Sequence, residues 1–172
     1  MLLAFMSGQQ SCPWSTFTWE SMMGLRGINR IVIAVRNLEA AKKLYADMLG
    51  ATFHDAHWTG APFGIHVSIA WDAGIELCAP MPGREHDSAV SQFLAHKGEG
   101  IVTVFFGVDD ADVAVSRAIS AGYACFHSLD YSQDEMDQHL GGRFCRYQES
   151  YVSSADRCGF GVALARIDRK PG

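Results

Sequence analysis

The sequence predicts an α+β fold: two tandem β-α-β-β-β modules forming a curved mixed sheet, a half-barrel pair around a shared cavity, with the helices outside. Three observations lead there. Apolar runs suited to buried strands alternate with segments whose apolar residues recur at helical spacing. The order strand, helix, three strands occurs twice along the chain. A sheet of this kind, apolar on one face, cannot stand alone, so two must pair and leave a cavity between them.

Residues 1–27 are Ser/Thr-rich, carry Trp14, Phe17 and Trp19, and have no sustained period. They read as a loose N-terminal extension, the alternative being a strap whose aromatics cover a pocket or a neighbouring subunit. The first module spans 28–80. Ile31–Val35 suits a strand buried on both faces. Asn37 caps a helix whose apolar side is Leu38, Ala41, Tyr45, Met48 and Leu49, and Gly50 stops it. Three strands follow, "ATFHDAHWT", "GIHVSIAW" and "GIELCAP", the last two joined by a hairpin turn at Asp72-Ala73-Gly74. Residues 81–100 link the modules and hold a short helix around Ser88 to Lys97, closed by Gly98.

The second module spans 101–168. "IVTVFFGV" is its first strand; Asp109 or Asp110 caps a helix with Ala111, Ala114, Val115 and Ala118 on the apolar face, and Gly122 ends it. "YACFHSLDY", "FCRYQESYV" and "FGVALARI" are its remaining strands, with an insertion, "SQDEMDQHLGGR", expected as a turn of helix plus loop. Sliding one copy on the other places Val35 on Val108, Leu38 on Ala111 and Gly50 near Gly122.

A chain of 172 residues, 48% hydrophobic and 19% charged, suits one domain or two fused modules. It can bury roughly 70% of its unfolded surface. A net charge of -5 without a basic cluster argues against nucleic acid or an anionic membrane as partner. The five cysteines, Cys12, Cys78, Cys125, Cys145 and Cys158, are odd in number and include no C-x-x-C pair. They point to reduced thiols in a cytoplasmic protein. The start, "MLLAFMSGQQ", lacks the basic n-region of a secretion signal, and no apolar run approaches a membrane span.

Arg30 stands at the mouth of the first strand, and arginine is seldom buried without a partner. Alternation along the strand turns Arg30, Val32 and Ala34 to the cavity and Ile31, Ile33 and Val35 to the helix. Glu76 shares the cavity face with Cys78, so Arg30 and Glu76 should meet, a guanidinium against a carboxylate in bidentate geometry. The hairpin should likewise turn His66, Ser68 and Ala70 inward. His66 is then either a general base or a core or rim histidine bonded to backbone. Glu149 lies on a stripe with Cys145, Tyr147 and Tyr151, where desolvation would raise its pKa and suit proton transfer. Its alternative is an ion pair with Arg143, Arg146 or Arg157, and Arg146, Gln148 and Ser150 form the face expected in solvent. Thr103, Phe105, Tyr147 and Tyr151 are candidate substrate contacts, Phe105 as the pocket floor. His54 and His57 have opposite parity, so at most one faces inward; His127 has the same standing, while His86, His96 and His139 fall in linker or insertion.

The stretches "IVIAVRNLEAAKKLYADMLGA", "GIELCAP", "SQFLAHKGEGI" leading into "FFGVDD", and "FGVALARI" resemble the vicinal oxygen chelate superfamily. That superfamily holds glyoxalases, methylmalonyl-CoA epimerases, extradiol dioxygenases and bleomycin-resistance proteins. The epimerase-like branch is the nearest likeness, over about residues 28–168. The resemblance implies metal ligands at matched points: a histidine at the mouth of each module's first strand and a carboxylate or amide in its last. Here those positions carry Arg30, Thr103, Glu76 and Ala165. Only Glu76 is a suitable ligand, so the family's metal site is expected to be lost, with no cofactor and Arg30 in the cation's place.

The function implied is a metal-independent isomerase, epimerase or lyase acting on a small carbonyl or oxygen-rich substrate. Arg30 would bind a carboxylate or stabilise an enolate, and His66 or Glu149 would move the proton. One alternative is a non-catalytic protein that sequesters a small molecule in a groove lined by Trp58, Phe63 and the N-terminal aromatics. Another is a metal enzyme holding a divalent cation through Glu76 and His66 with His54 or His57. The resemblance also implies a homodimer.

Overall fold

The computed structural model describes residues 25–171. Trp14, Phe17 and Trp19, and with them the choice between loose extension and strap, lie outside the described residues. The elements in order are β1 (Leu25–Ala34), α1 (Leu38–Leu49), β2 (His54–Asp55), α2 (His57–Gly60), β3 (Ile65–Ala70), β4 (Ile75–Pro80), α3 (Ser91–His96), β5 (Gly100–Val108), α4 (Ala111–Ser120), β6 (Cys125–Asp130), α5 (Gln133–His139), β7 (Phe144–Val152), α6 (Ala155–Cys158) and β8 (Gly161–Arg169). The strands form one mixed sheet in the order β2-β3-β4-β1-β5-β8-β7-β6. It curls into a half-barrel pair, as the repeat predicts.

Each module pairs its first strand parallel to its last, β1 with β4 and β5 with β8, and the modules meet at the antiparallel β1–β5 seam. Strand β1 begins at Leu25 rather than at residue 28, because Leu25 and Gly27 already pair with Val108 and Gly107. The parity of β1 is as expected. Ile33 and Val35 join Ile75, Leu77 and Ala79 under Leu38 and Ala41 of α1, whereas Val32 and Ala34 pack with Val67, Ile69, Cys78 and Phe105 on the concave side.

The helices start where side chains can satisfy free N–H groups. The Asn37 side chain accepts from the Ala40 N–H, and Asp110, not Asp109, accepts from the Val113 N–H. Gly50 closes α1 with φ 71°, its N–H bonded to the Ala46 carbonyl. The insertion contains α5, opened by a capping box of Ser132 and Glu135.

Several expectations are corrected. "ATFHDAHWT" is a strand only at His54–Asp55 and then turns into α2. The α1 apolar side overshoots the sheet, leaving Met48 and Leu49 exposed. Helix α3 starts at Ser91, with Ser88 bonded to the Ser91 hydroxyl ahead of it. Gln148 and Ser150 are buried rather than solvated, because α4 covers that side of β7; the Gln148 Nε2 donates to Asp112. A register shift between Phe144 and Arg146 displaces Cys145 from the stripe of Tyr147 and Glu149, and Cys145 is exposed.

Candidate functional site

Arg30 lies 3% exposed on the concave face of the sheet, between two carboxylates. Its Nε donates to Glu76 Oε2 at 2.6 Å and its Nη2 to Glu149 Oε1 at 2.7 Å, while Nη1 donates to Asn29 Oδ1 at 3.2 Å. The contact with Glu76 is therefore through one nitrogen, and a second carboxylate takes the other end of the fork. The guanidinium carbon sits 3.7 Å from the Phe105 ring centroid and 5.4 Å from that of Trp71. Phe105 pairs with Arg30 across the β1–β5 seam and is fully buried, so it floors the charge rather than the open cavity.

The order β1-β5-β8-β7 puts three strand spacings, roughly 14 Å on a flat sheet, between Arg30 and Glu149. Curling shortens that path. Ala163 and Ala165 on β8, both buried, leave room across it. Ala165 is the register partner of Glu149. The module mate of Glu76 is Ala163, not Ala165: Val32 pairs with Glu76 as Phe105 pairs with Ala163. Neither alanine carries a donor atom.

Burial dominates the electrostatics of the floor. It raises the Glu76 carboxyl above its ordinary range, Arg30 opposing and Glu149 adding to the shift. It also works against the charge on Arg30, but Glu149, the Tyr147 and Tyr151 phenols and Glu76 together hold that guanidinium protonated well above its usual value. Burial pushes the Tyr131 phenol up to about 12 and those of Tyr147 and Tyr151 well above theirs. The Cys78 thiol is raised by burial too. All three phenols therefore stay protonated at neutral pH as hydrogen-bond donors.

Above this floor is a cavity of about 470 Å³. Thr59, Gly60 and Phe63 from α2 and the turn after it form one wall, and Val67, Ile69 and Cys78 line the side toward β3 and β4. Phe126, His127, Tyr131 and Tyr151 form the opposite wall, and Thr103 reaches in from β5. The Nε2 of His127 is buried without a hydrogen-bond partner among the described residues.

The structure thus brings Arg30, Glu76, Glu149, Thr103, Tyr147 and Tyr151 to one cavity, with Phe105 beneath. It does not bring His66 there. Ala70 pairs with Ile75 across a four-residue turn, Trp71 to Gly74, so Ile69 rather than Ala70 stands opposite Glu76. One extra turn residue moves His66, Ser68 and Ala70 to the outer face. There His66 stacks on His57 at 4.2 Å, and Ser68 bonds Asp55. A metal site built on Glu76 and His66 is ruled out by that register, since the two lie on opposite faces of the sheet.

Nor do the positions implied by the resemblance fit a divalent cation. They hold a permanently charged guanidinium, a lone hydroxyl, an alanine and one carboxylate. Among the described residues no group of three or more His, Cys, Asp or Glu side chains is placed to hold a metal ion. Tyr131, Phe126 and Leu129 were not anticipated as lining residues. The alternation of His127, Leu129 and Tyr131 carries the signal for two of them, but it becomes readable only once the face of one member is known; Phe126 has the opposite parity and sits at the register shift between Cys125 and His127.

No curated protein sequence matches the chain. Among solved structures, methylmalonyl-CoA epimerase from Mycobacterium tuberculosis matches with a TM-score of 0.63 at 21% identity, covering 87% of this chain and 92% of that one. A Streptomyces coelicolor methylmalonyl-CoA epimerase variant, in complex with 2-nitronate-propionyl-CoA, matches with a TM-score of 0.62 at 22% identity, covering 83% and 97%. Another methylmalonyl-CoA epimerase, in complex with methylmalonyl-CoA and NH4+, gives 0.60 at 22%, covering 83% and 94%. These likenesses concern the fold. The model of the glyoxalase/bleomycin resistance protein/dioxygenase superfamily matches residues 29–141. With that match over most of its length, and with the paired β-α-β-β-β modules around one cavity, the chain belongs to the glyoxalase/bleomycin resistance protein/dioxygenase superfamily.

Proposed function

We propose that this protein is a metal-independent proton-transfer enzyme of the isomerase or epimerase type, acting on a small carbonyl compound. The observation that carries the reading is Arg30 held between Glu76 and Glu149 at 2.6 and 2.7 Å, at the point where both modules converge. A guanidinium there supplies the positive charge that a metal supplies in relatives that bind one, so Arg30 stands in the cation's place. Three of its five N–H groups have acceptors among the described residues; the other two are free to stabilise a developing enolate oxygen. Glu149 takes the α-proton and returns it. Glu76 holds the other end of the guanidinium through Nε and fixes its orientation toward the substrate. Tyr151 and Tyr131, protonated and lining the cavity, orient the substrate oxygen.

A second reading, ligand binding without turnover, is favoured by a different observation. The guanidinium is already satisfied by its own carboxylates, and most of the cavity wall is apolar or aromatic.

The test has two parts. Metal content of the untagged protein, by mass spectrometry before and after dialysis against zinc, nickel, cobalt and manganese, should stay far below one equivalent. Exchange of α-protons for deuterium, followed by NMR over a panel of small aldehydes, ketones and thioesters, should occur with wild type and fall by about two orders of magnitude in Glu149→Gln. Near-stoichiometric metal retained through dialysis overturns the metal-independent reading. Binding without exchange across the panel transfers support to the second reading.

A further inference from the structure

We infer that the cavity takes an organic cation, a small molecule with an apolar body and a protonated or quaternary amine. The inference rests on the metal-independent ion triad of the preceding reading and adds the class of ligand. The carboxylates and guanidinium facing the cavity are those of Arg30, Glu76 and Glu149. Two carboxylates against one guanidinium leave the floor with a net negative formal charge, and both carboxylates already hold that guanidinium. No lysine and no second arginine lines the cavity among the described residues. Residues 1–24 contain neither lysine nor arginine, so no side chain of that segment supplies one. An anionic head group would enter facing two carboxylates with no unpaired cation to receive it, in a site where low polarity magnifies the repulsion.

The wall above the floor has the matching chemistry. Phe63 meets His127 edge-on at 5.5 Å, His127 lies 5.6 Å from Tyr151, and Tyr151 lies 6.1 Å from Phe126, an unbroken run of rings beside the carboxylates. Aromatic faces attract a cation within about 6 Å of their centroids. The protein already uses a ring this way, with Arg30 over Phe105 at 3.7 Å. The buried Nε2 of His127, unpartnered among the described residues, is an acceptor for an ammonium N–H when Nδ1 carries the ring proton. A cation seated here supplies the second positive charge that the two carboxylates lack. Methylmalonyl-CoA and 2-nitronate-propionyl-CoA, bound in the structural neighbours, are anions, so the inference separates this chain from those proteins in ligand class.

Three probes of nearly equal size and different charge test it: 2-phenylethylammonium, 2-phenylacetamide and phenylacetate, each titrated into the full-length protein at neutral pH by NMR or calorimetry. The ammonium is expected to bind roughly tenfold tighter than the amide, with phenylacetate weakest. Glu149→Gln should narrow the gap between ammonium and amide. Should that variant not fold, Phe126→Ala, at a position 68% exposed, still decides: it should weaken the ammonium several-fold and the amide less. Phenylacetate binding as well as the ammonium overturns the inference, as does the absence of binding by any of the three up to about 10 mM. Metal content of the same sample separates the two readings. A metal-free protein with no preference for the cation overturns this inference alone, whereas a bound metal overturns the triad reading beneath it.

Discussion

Arg30, Glu76 and Glu149 are each buried and each depends on the others for its charge. Removing one partner of a buried pair is far more costly than losing a surface ion pair, because the remaining charge stays out of water. Glu149→Ala should therefore lower stability by about 3–5 kcal/mol in urea unfolding. Arg30→Met leaves two carboxyls facing each other without a cation, which favours their protonated forms in the folded state. A folded pKa above the unfolded one means stability that is present at low pH and lost as pH rises through the folded value. The destabilisation by Arg30→Met, measured against wild type, should thus grow as pH rises above the ordinary carboxyl range. The same sign holds for Glu76, whose folded pKa is raised above 4.5 by burial. Glu76→Gln should remove a loss of stability that wild type shows as pH rises above that value, read as the difference between the two unfolding curves. The partnership of Arg30 with Glu76 was legible from strand parity alone, and so was the stripe of Tyr147, Glu149 and Tyr151. That Glu149 pairs with Arg30, rather than with Arg143, Arg146 or Arg157, was not.

Elements carry the site through register and close approach. The β3–β4 connection illustrates how little separates a correct face from a wrong one. A three-residue turn would set Ala70 opposite Glu76 and His66 inward, whereas the four residues Trp71 to Gly74 set Ile69 there. Turn length is weakly encoded in "WDAG", since a tryptophan at the strand end suits either assignment. Helix α2 approaches β3 so closely that a Cβ on Gly60 would lie 2.5 Å from the Ile65 carbonyl oxygen and 2.8 Å from Val67 Cγ2. Gly60→Ala should cost about 1–3 kcal/mol and shift the cavity wall, changing probe affinity as well as melting temperature. Asn37→Ala should instead cost about 1 kcal/mol through loss of the α1 cap. Because α1 lies on the convex side, ligand binding by that variant should be unchanged, a contrast that thermal unfolding and titration together can read.

At the scale of the molecule, the two modules share one sheet through the β1–β5 seam, and β1 lies hydrogen-bonded between β4 and β5. Cutting the chain in the linker between α3 and β5 exposes that seam on both pieces and halves the concave core. Separately expressed, residues 25–98 and 99–171 should each lack a cooperative thermal transition by calorimetry, whereas the intact chain should show one. The repeat that announces this architecture was visible as two spaced copies of strand, helix and three strands. Among the described residues no helix is long and apolar enough to cross a membrane, and Cys78, Cys125, Cys145 and Cys158 are free thiols.

By itself the sequence determined the tandem modules, the cap at Asn37 and a cap at Asp109 or Asp110, the inward side of β1 and β7, and the identity of the three charged groups on the cavity floor. These follow from local rules: a period of two along strands, side-chain oxygens at helix starts, and the cost of burying charge alone. Tertiary structure alone decided that Glu149 reaches Arg30 across three strand spacings, that His66 turns outward, and that Gln148 and Ser150 lie beneath α4. Sheet curl, hairpin register and helix docking depend on contacts between residues far apart in the chain, and no local spacing records them.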